Sequence, residues 1–209
     1  MRILKSVLTL IVSCSLAFLS SCGNDDAKPA LKAITFSNLA ADPATSFDPN
    51  TGAPIGTTDK YKFFNFVTGD VVASTDSASN KWDLGFRGTT IIVNSGTSGP
   101  GSGAAQVYSG IFDQLLEAPA EGYNVDASSG KAIPTGSGNG WYSATSTAPT
   151  IITPIAGRFI VIKTATGKYA KIEILSYYKD APTTPTGNEP ARYYTFRYIY
   201  QSDGSTSLK

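Results

Sequence analysis

Arg192-Tyr193-Tyr194-Thr195-Phe196-Arg197-Tyr198-Ile199-Tyr200-Gln201 is the stretch that decides the fold class. Successive side chains of an extended chain point to opposite faces. Tyr194, Phe196, Tyr198 and Tyr200 therefore share one face, and Tyr193, Thr195, Arg197 and Ile199 the other. Aromatic and β-branched residues dominate, the types that fit a half-buried pleated surface. The same texture recurs toward the N-terminus. Runs 158–164 and 168–178 flank a turn containing Gly167, and 105–111 follows a Gly/Ser loop. Runs 82–87 and 89–94 are separated only by Gly88, and 61–67 and 70–74 flank Thr68-Gly69, which reads as a two-residue hairpin turn. Short apolar or alternating runs punctuated by Gly, Asn and Ser predict an all-β protein, a single antiparallel β domain over residues 58–209. Residues 112–117 are the one candidate helical turn. No repeat period is visible.

The first 22 residues belong to a different physical class. Arg2 and Lys5 precede an apolar run over 7–19, the length of a signal-peptide core and too short to span a bilayer. Leu19-Ser20-Ser21-Cys22 then matches the bacterial lipobox. Residues 1–21 read as a lipoprotein signal peptide and Cys22 as the lipidated residue; two or three acyl chains on one Cys suffice for stable anchoring. Gly23-Asn24-Asp25-Asp26 follows, an acidic start that resembles a surface-export signal. The expected location is the outer membrane of a Gram-negative bacterium, with the protein facing outward. Residues 22–57, rich in Ala, Asp, Pro, Thr and Asn, read as a tether with at most one short strand around Ile34-Thr35-Phe36.

Composition narrows the chemistry. Removing Arg2 and Lys5 from 17 basic residues leaves 15 against 16 acidic ones, so the mature chain carries a formal charge of −1 and no electrostatic footprint for nucleic acid. The chain has no His, and its single Met is Met1. That removes Ser-His-Asp triads, His general bases and His-ligated zinc. Cys14 leaves with the signal peptide and Cys22 takes the lipid, so neither a disulfide nor a free catalytic thiol is available. The sequence offers no catalytic residue set, and the expected class is a non-enzyme.

Three motifs invite stronger readings and fail them. Residues 94–103, Asn-Ser-Gly-Thr-Ser-Gly-Pro-Gly-Ser-Gly, lack the terminal Gly-Lys-Ser/Thr of a phosphate cradle and read as a tight loop joining two strands. Ser128-Ser129-Gly130-Lys131 has the Ser-x-x-Lys spacing without its supporting elements. Asp48-Pro49-Asn50-Thr51-Gly52 misplaces the glycine of a calcium loop. The 11 Tyr, 10 Phe and 2 Trp read first as core and sheet surface, and otherwise as stacking surface for a flat ligand.

One set of residues reaches beyond composition. Lys81-Trp82-Asp83-Leu84-Gly85-Phe86-Arg87, then 91–94 and the Gly loop, resembles the central signature of the HmuY-like surface lipoproteins. Gly122-Tyr123-x-Val125-Asp126, Gly140-Trp141, Gly167-Lys168-Tyr169-Ala170-Lys171-Ile172 and the closing Tyr194-Thr195-Phe196-x-Tyr198-x-Tyr200 follow in the same order, so the likeness runs over about residues 58–205. The resemblance implies an all-β fold and a surface protein that captures haem, or a related ligand, for a TonB-dependent transporter. It also implies two axial iron ligands, His or Met, from the segment corresponding to 124–150. Here that segment holds neither, and it is shorter than the family pattern. Tyr123, Trp141 and Tyr142 remain as candidate ligand-binding residues, with haem as candidate cofactor through a Tyr oxygen. The alternative is a surface interaction module without metal chemistry, its pocket adapted to a glycan, a peptide or a partner protein.

Overall fold

The computed structural model describes residues 29–48 and 52–209; Cys22 and the signal segment 1–21 lie outside the described residues. The described chain is antiparallel β throughout, with two single 3-10 turns at Ser74–Asp76 and Phe112–Gln114. In chain order the strands are β1 (Ile34–Ala40), β2 (Ser46–Phe47), β3 (Pro54–Ile55), β4 (Lys62–Asn65), β5 (Asp70–Val72), β6 (Leu84–Arg87) and β7 (Thr90–Val93). They continue as β8 (Ala104–Ser109), β9 (Tyr142–Ala144), β10 (Ile152–Pro154), β11 (Arg158–Lys163), β12 (Tyr169–Tyr178) and β13 (Ala191–Gln201). A five-stranded sheet runs β1-β13-β12-β11-β8 and a four-stranded sheet β5-β4-β6-β7, with β2-β3 and β9-β10 as separate hairpins.

The alternation in β13 sets the layering. Tyr194, Phe196 and Tyr198, with Ile160, Ile162, Ile172 and Ile174 from β11 and β12, meet Phe64, Leu84, Phe86, Ile91 and Val93 of the four-stranded sheet in one inter-sheet core. Phe196 is fully buried there, stacked on Phe86 at 5.6 Å and edge-on to Phe64 at 5.2 Å. The opposite face of the five-stranded sheet packs Phe159, Val161 and Ile199 under Phe112, Ala118 and Leu208. The outer face of the four-stranded sheet carries Phe63, Trp82 and Ile92. Gly85 makes that outer cluster fit, because a Cβ there would lie 2.8 Å from Ile92 and 3.1 Å from Phe63.

Two expectations change. The turn after β4 spans four residues rather than two, since Asn65 pairs with Asp70. Phe66 turns into the core, where its N–H donates to the buried Asp83 carboxylate at 2.8 Å, and so cannot continue the strand. The strand near Ile34 is seven residues long and forms the sheet edge against β13, so folded structure begins inside the segment read as tether. Leu39 and Ala41 are buried in the inter-sheet core.

The Gly-rich loop joins β7 to β8 around a polar knot. Asn94 donates to the Ser79 and Trp82 carbonyls, each at 2.8 Å, and accepts from the Gly101 N–H at 3.0 Å. Asp126 accepts from the Val93 and Ala132 N–H groups. A Cβ on Gly96 would lie 1.9 Å from the Asp126 carbonyl oxygen, and one on Gly103 2.8 Å from that of Asn94. Close backbone approach, rather than phosphate binding, accounts for these glycines.

Candidate functional site

Trp141 and Tyr142 come together; Tyr123 does not join them. Trp141 enters the inter-sheet core, its ring 4.9 Å from Tyr142, 5.9 Å from Tyr177 and 5.2 Å from Tyr194. Tyr123 lies with the cluster on the opposite face of the five-stranded sheet, beside Tyr169 at 6.3 Å and with the Lys163 ammonium 5.0 Å from its ring centre. The Tyr123 hydroxyl is buried without a hydrogen bond of regular geometry. Burial, then the neighbouring Tyr169, pushes its pKa up to about 12. Between residues 124 and 141 the chain makes two isolated bridges, Ala105 to Asn124 and Ala127 to Gly130, and no strand.

The aromatic cluster has a polar outlet. The Trp141 indole donates to the Thr89 carbonyl at 3.0 Å and the Tyr194 hydroxyl to the Gly88 carbonyl at 2.8 Å. Both carbonyls belong to the two-residue turn between β6 and β7, where Arg87 pairs with Thr90 and Gly88 takes a left-handed φ of 54°. The core thereby fixes a turn whose outer surface lines a pocket of about 260 Å³. Arg87 and Arg192 contribute the cations of that pocket, Asp42 and Asp59 the carboxylates, and Thr57, Thr89 and Thr90 hydroxyls.

Each charged group there is positioned. Arg192, the second residue of β13, takes a left-handed φ of 68° and donates to the Asp42 carbonyl at 2.9 Å. Its guanidinium lies against the Gly88 turn, 3.6 Å from where a Cβ would stand. Such a backbone in a long side chain costs of order 1–3 kcal/mol and persists only where the surroundings fix it. Arg87 donates to the Asp59 carbonyl at 3.1 Å and lies over the Tyr61 ring at 4.7 Å. Asp42 accepts from the Thr58 N–H at 2.7 Å, the Thr58 hydroxyl at 2.8 Å and the Asp59 N–H at 3.0 Å. Burial alone would raise the Asp42 carboxyl, but these hydrogen bonds and the Arg192 charge hold its pKa below the ordinary value. Asp42 therefore stays ionised and compensates Arg192, 4.0 Å away.

Beyond Asp59 the chain borders a second hollow of about 350 Å³, lined by Lys60, Tyr61, Phe63 and the Ser74, Thr75 and Ser77 side chains. Sequence reading missed both hollows. Its one usable signal was that Arg87 ends a strand and Arg192 begins another, charges placed where apolar runs stop.

Haem is tested by the donors present. Among the described residues no group of three His, Cys, Asp or Glu could hold a metal ion. Tyr142 is packed in the core beside Trp141, and Tyr123 lies half-buried beside Tyr169. Tyr142 and Tyr123 belong to different clusters on opposite faces of the five-stranded sheet, so the two phenols do not converge on one haem iron. Among the described residues no helix is long and apolar enough to cross a membrane.

Similar chains were found among protein families and solved structures. A chain from Bacteroides vulgatus, named as an HmuY-like heme binding protein, is 19% identical over 80% of this chain and 90% of that one, with a TM-score of 0.47. A chain from Bacteroides fragilis named as a lipoprotein is 16% identical, covering 80% of this chain and 89% of that one, at a TM-score of 0.48. An apo HmuY analog from Tannerella forsythia is 15% identical, covering 82% and 95%, at 0.41. No curated protein matches. The family model described as HmuY protein matches residues 57–198, most of the described strands from β4 to β13. On that match, the chain belongs to the HmuY family.

Proposed function

We propose that this chain is a binding protein, not an enzyme, anchored by Cys22 to the outer membrane and facing outward, which holds its ligand by shape and polar contact without side-chain ligation of iron. It would present that ligand to a TonB-dependent transporter, the partner that the family resemblance implies. One observation carries the reading: Trp141 and Tyr142 are core residues, Trp141 bracing the Gly88-Thr89 turn together with Tyr194, and the residues that line the pocket on the outer side of that turn include arginine, aspartate and threonine. A haem reading through Tyr123 has one observation in its favour, its buried hydroxyl without a regular hydrogen bond.

A titration of the protein with ferric haem separates the two. The expected result is no Soret shift characteristic of axial ligation, with Tyr123→Phe and Tyr142→Phe indistinguishable from the parent. A tight complex whose shifted Soret band disappears in Tyr123→Phe would overturn the reading in favour of haem.

A further inference from the structure

We propose that the pocket between the β6–β7 turn and the start of β13 is a saccharide-binding site, taking a neutral sugar through its vicinal hydroxyls. The proposal rests on the reading above, that the ligand is not gripped through iron, and names the ligand's chemical class.

The pocket combines donors and acceptors without net charge. Arg87 and Arg192 line it with Asp42 and Asp59 and with Thr57, Thr89 and Thr90. Arg192 and Arg87 each give one N–H to a backbone carbonyl, Asp42 and Asp59 respectively, and Arg192 also meets the Tyr177 hydroxyl. An arginine carries five N–H donors, so both retain donors for a ligand. The Asp42 oxygens are occupied by Thr58 and Asp59. Among the described residues no hydrogen bond to the Asp59 carboxylate is formed, and Asp59 lines the same pocket. A sugar hydroxyl both donates and accepts: it can donate to Asp59 while accepting from a guanidinium edge. An anion would meet Asp59 and Asp42 as like charges, and a cation would meet the two arginines. At about 260 Å³ the pocket lies just below the usual range of about 300–1,000 Å³ for small-molecule sites, a size for one small polar unit.

The walls are held before any ligand arrives. The Arg192 side chain is only 15% exposed, and the Gly88-Thr89 turn is hydrogen-bonded from below by Tyr194 and Trp141. Preorganised polar groups lose less freedom on binding. The neighbouring hollow adds an aromatic wall from Tyr61 and Phe63 with serine and threonine hydroxyls, a surface suited to the apolar face of a second sugar unit.

The test is ligand-observed saturation-transfer NMR on the protein with D-glucose, D-galactose, D-mannose and N-acetylglucosamine, and with glycine and inorganic phosphate as separate arms. The expected result is saturation transfer to at least one sugar, lost in Asp59→Asn and Arg87→Lys while unfolding curves match the parent, and no response from glycine or phosphate. Thr90→Val, which removes one pocket hydroxyl and no charge, is expected to weaken the same signal. Silence from all four sugars would overturn the proposal, as would a signal indifferent to Asp59→Asn and Arg87→Lys. A response to glycine or phosphate alone would reassign the pocket to a zwitterion or an anion. None of these outcomes depends on the haem titration.

Discussion

On one face of β13, Tyr194, Phe196 and Tyr198 pack against the four-stranded sheet in a layer of aromatic and aliphatic side chains. On the other, Arg197, with Lys171 and Glu173 from β12, shares the space with Phe112 and Asp113. Both faces are covered, so burial alone does not distinguish them. The inner face is closed by another sheet, whose strands satisfy their backbone groups by pairing, so the core side chains add only the Tyr194 and Trp141 bonds to the Gly88-Thr89 turn. The outer face is closed by the 3-10 turn at Phe112–Gln114, whose carbonyls need donors. Lys171 supplies them, donating to the Phe112 carbonyl at 2.6 Å and the Leu115 carbonyl at 2.8 Å while its ammonium lies over the Phe112 ring at 4.6 Å. A charge in a strand interior is here the means of fastening a loop to a sheet.

Phe196→Ala attacks the inner face and is expected to cost about 3–5 kcal/mol in urea unfolding, because Phe36, Phe64 and Phe86 all lose a ring contact. A loss below about 1 kcal/mol would mean the two sheets repack freely, and the contrast between the faces would fail.

Lys171→Met attacks the outer face. Stranding two buried carbonyls is expected to cost about 1–3 kcal/mol. The pH dependence sharpens the reading. Burial holds the Lys171 pKa below its ordinary 10.5, with Asp113 opposing. Between the folded and ordinary values the unfolded chain binds a proton that the native chain has shed, so the Lys171 contribution makes stability rise with pH through that window. Subtracting the variant's stability-versus-pH curve from the parent's should reveal that rise; a flat difference would show that Lys171 is not desolvated in the fold.

Glu173→Gln gives the smallest effect. Its bond to Arg197 is short, 2.6 Å, but both side chains are partly exposed, 19% and 30%. About 0.2–1 kcal/mol is expected, diminishing at high salt as screening replaces the pair.

Much of this architecture is legible in local pattern. The assignment of Tyr194, Phe196 and Tyr198 to one face follows from a period of two, a property of each strand alone. The pairing across Gly88 and the turn at Gly167 are likewise local, since glycine admits the φ of 54° and 78° found there. The strand β1 was less legible, because its pattern breaks at a bulge between Phe36 and Leu39, where Asn38 turns to left-handed φ and bonds Asp180. The hairpin of β9 and β10 lies in a stretch of Ser, Thr, Ala and Pro without alternation, and its position depends on Tyr178, whose hydroxyl accepts from the Ile152 N–H at 2.9 Å.

The sequence by itself determined that the domain is antiparallel β and that imidazole chemistry is absent, because strand period and residue inventory need no knowledge of who meets whom. It also determined the family, through motifs kept in order along the chain. Only the tertiary structure decided that Trp141 and Tyr142 face inward, Trp141 bracing a turn, that Tyr123 lies across the sheet from them, and that Asp42, Asp59, Arg87 and Arg192 surround one pocket. Those four come from a loop, the approach to β4, the end of β6 and the start of β13. No local periodicity joins them; strand pairing at long range does.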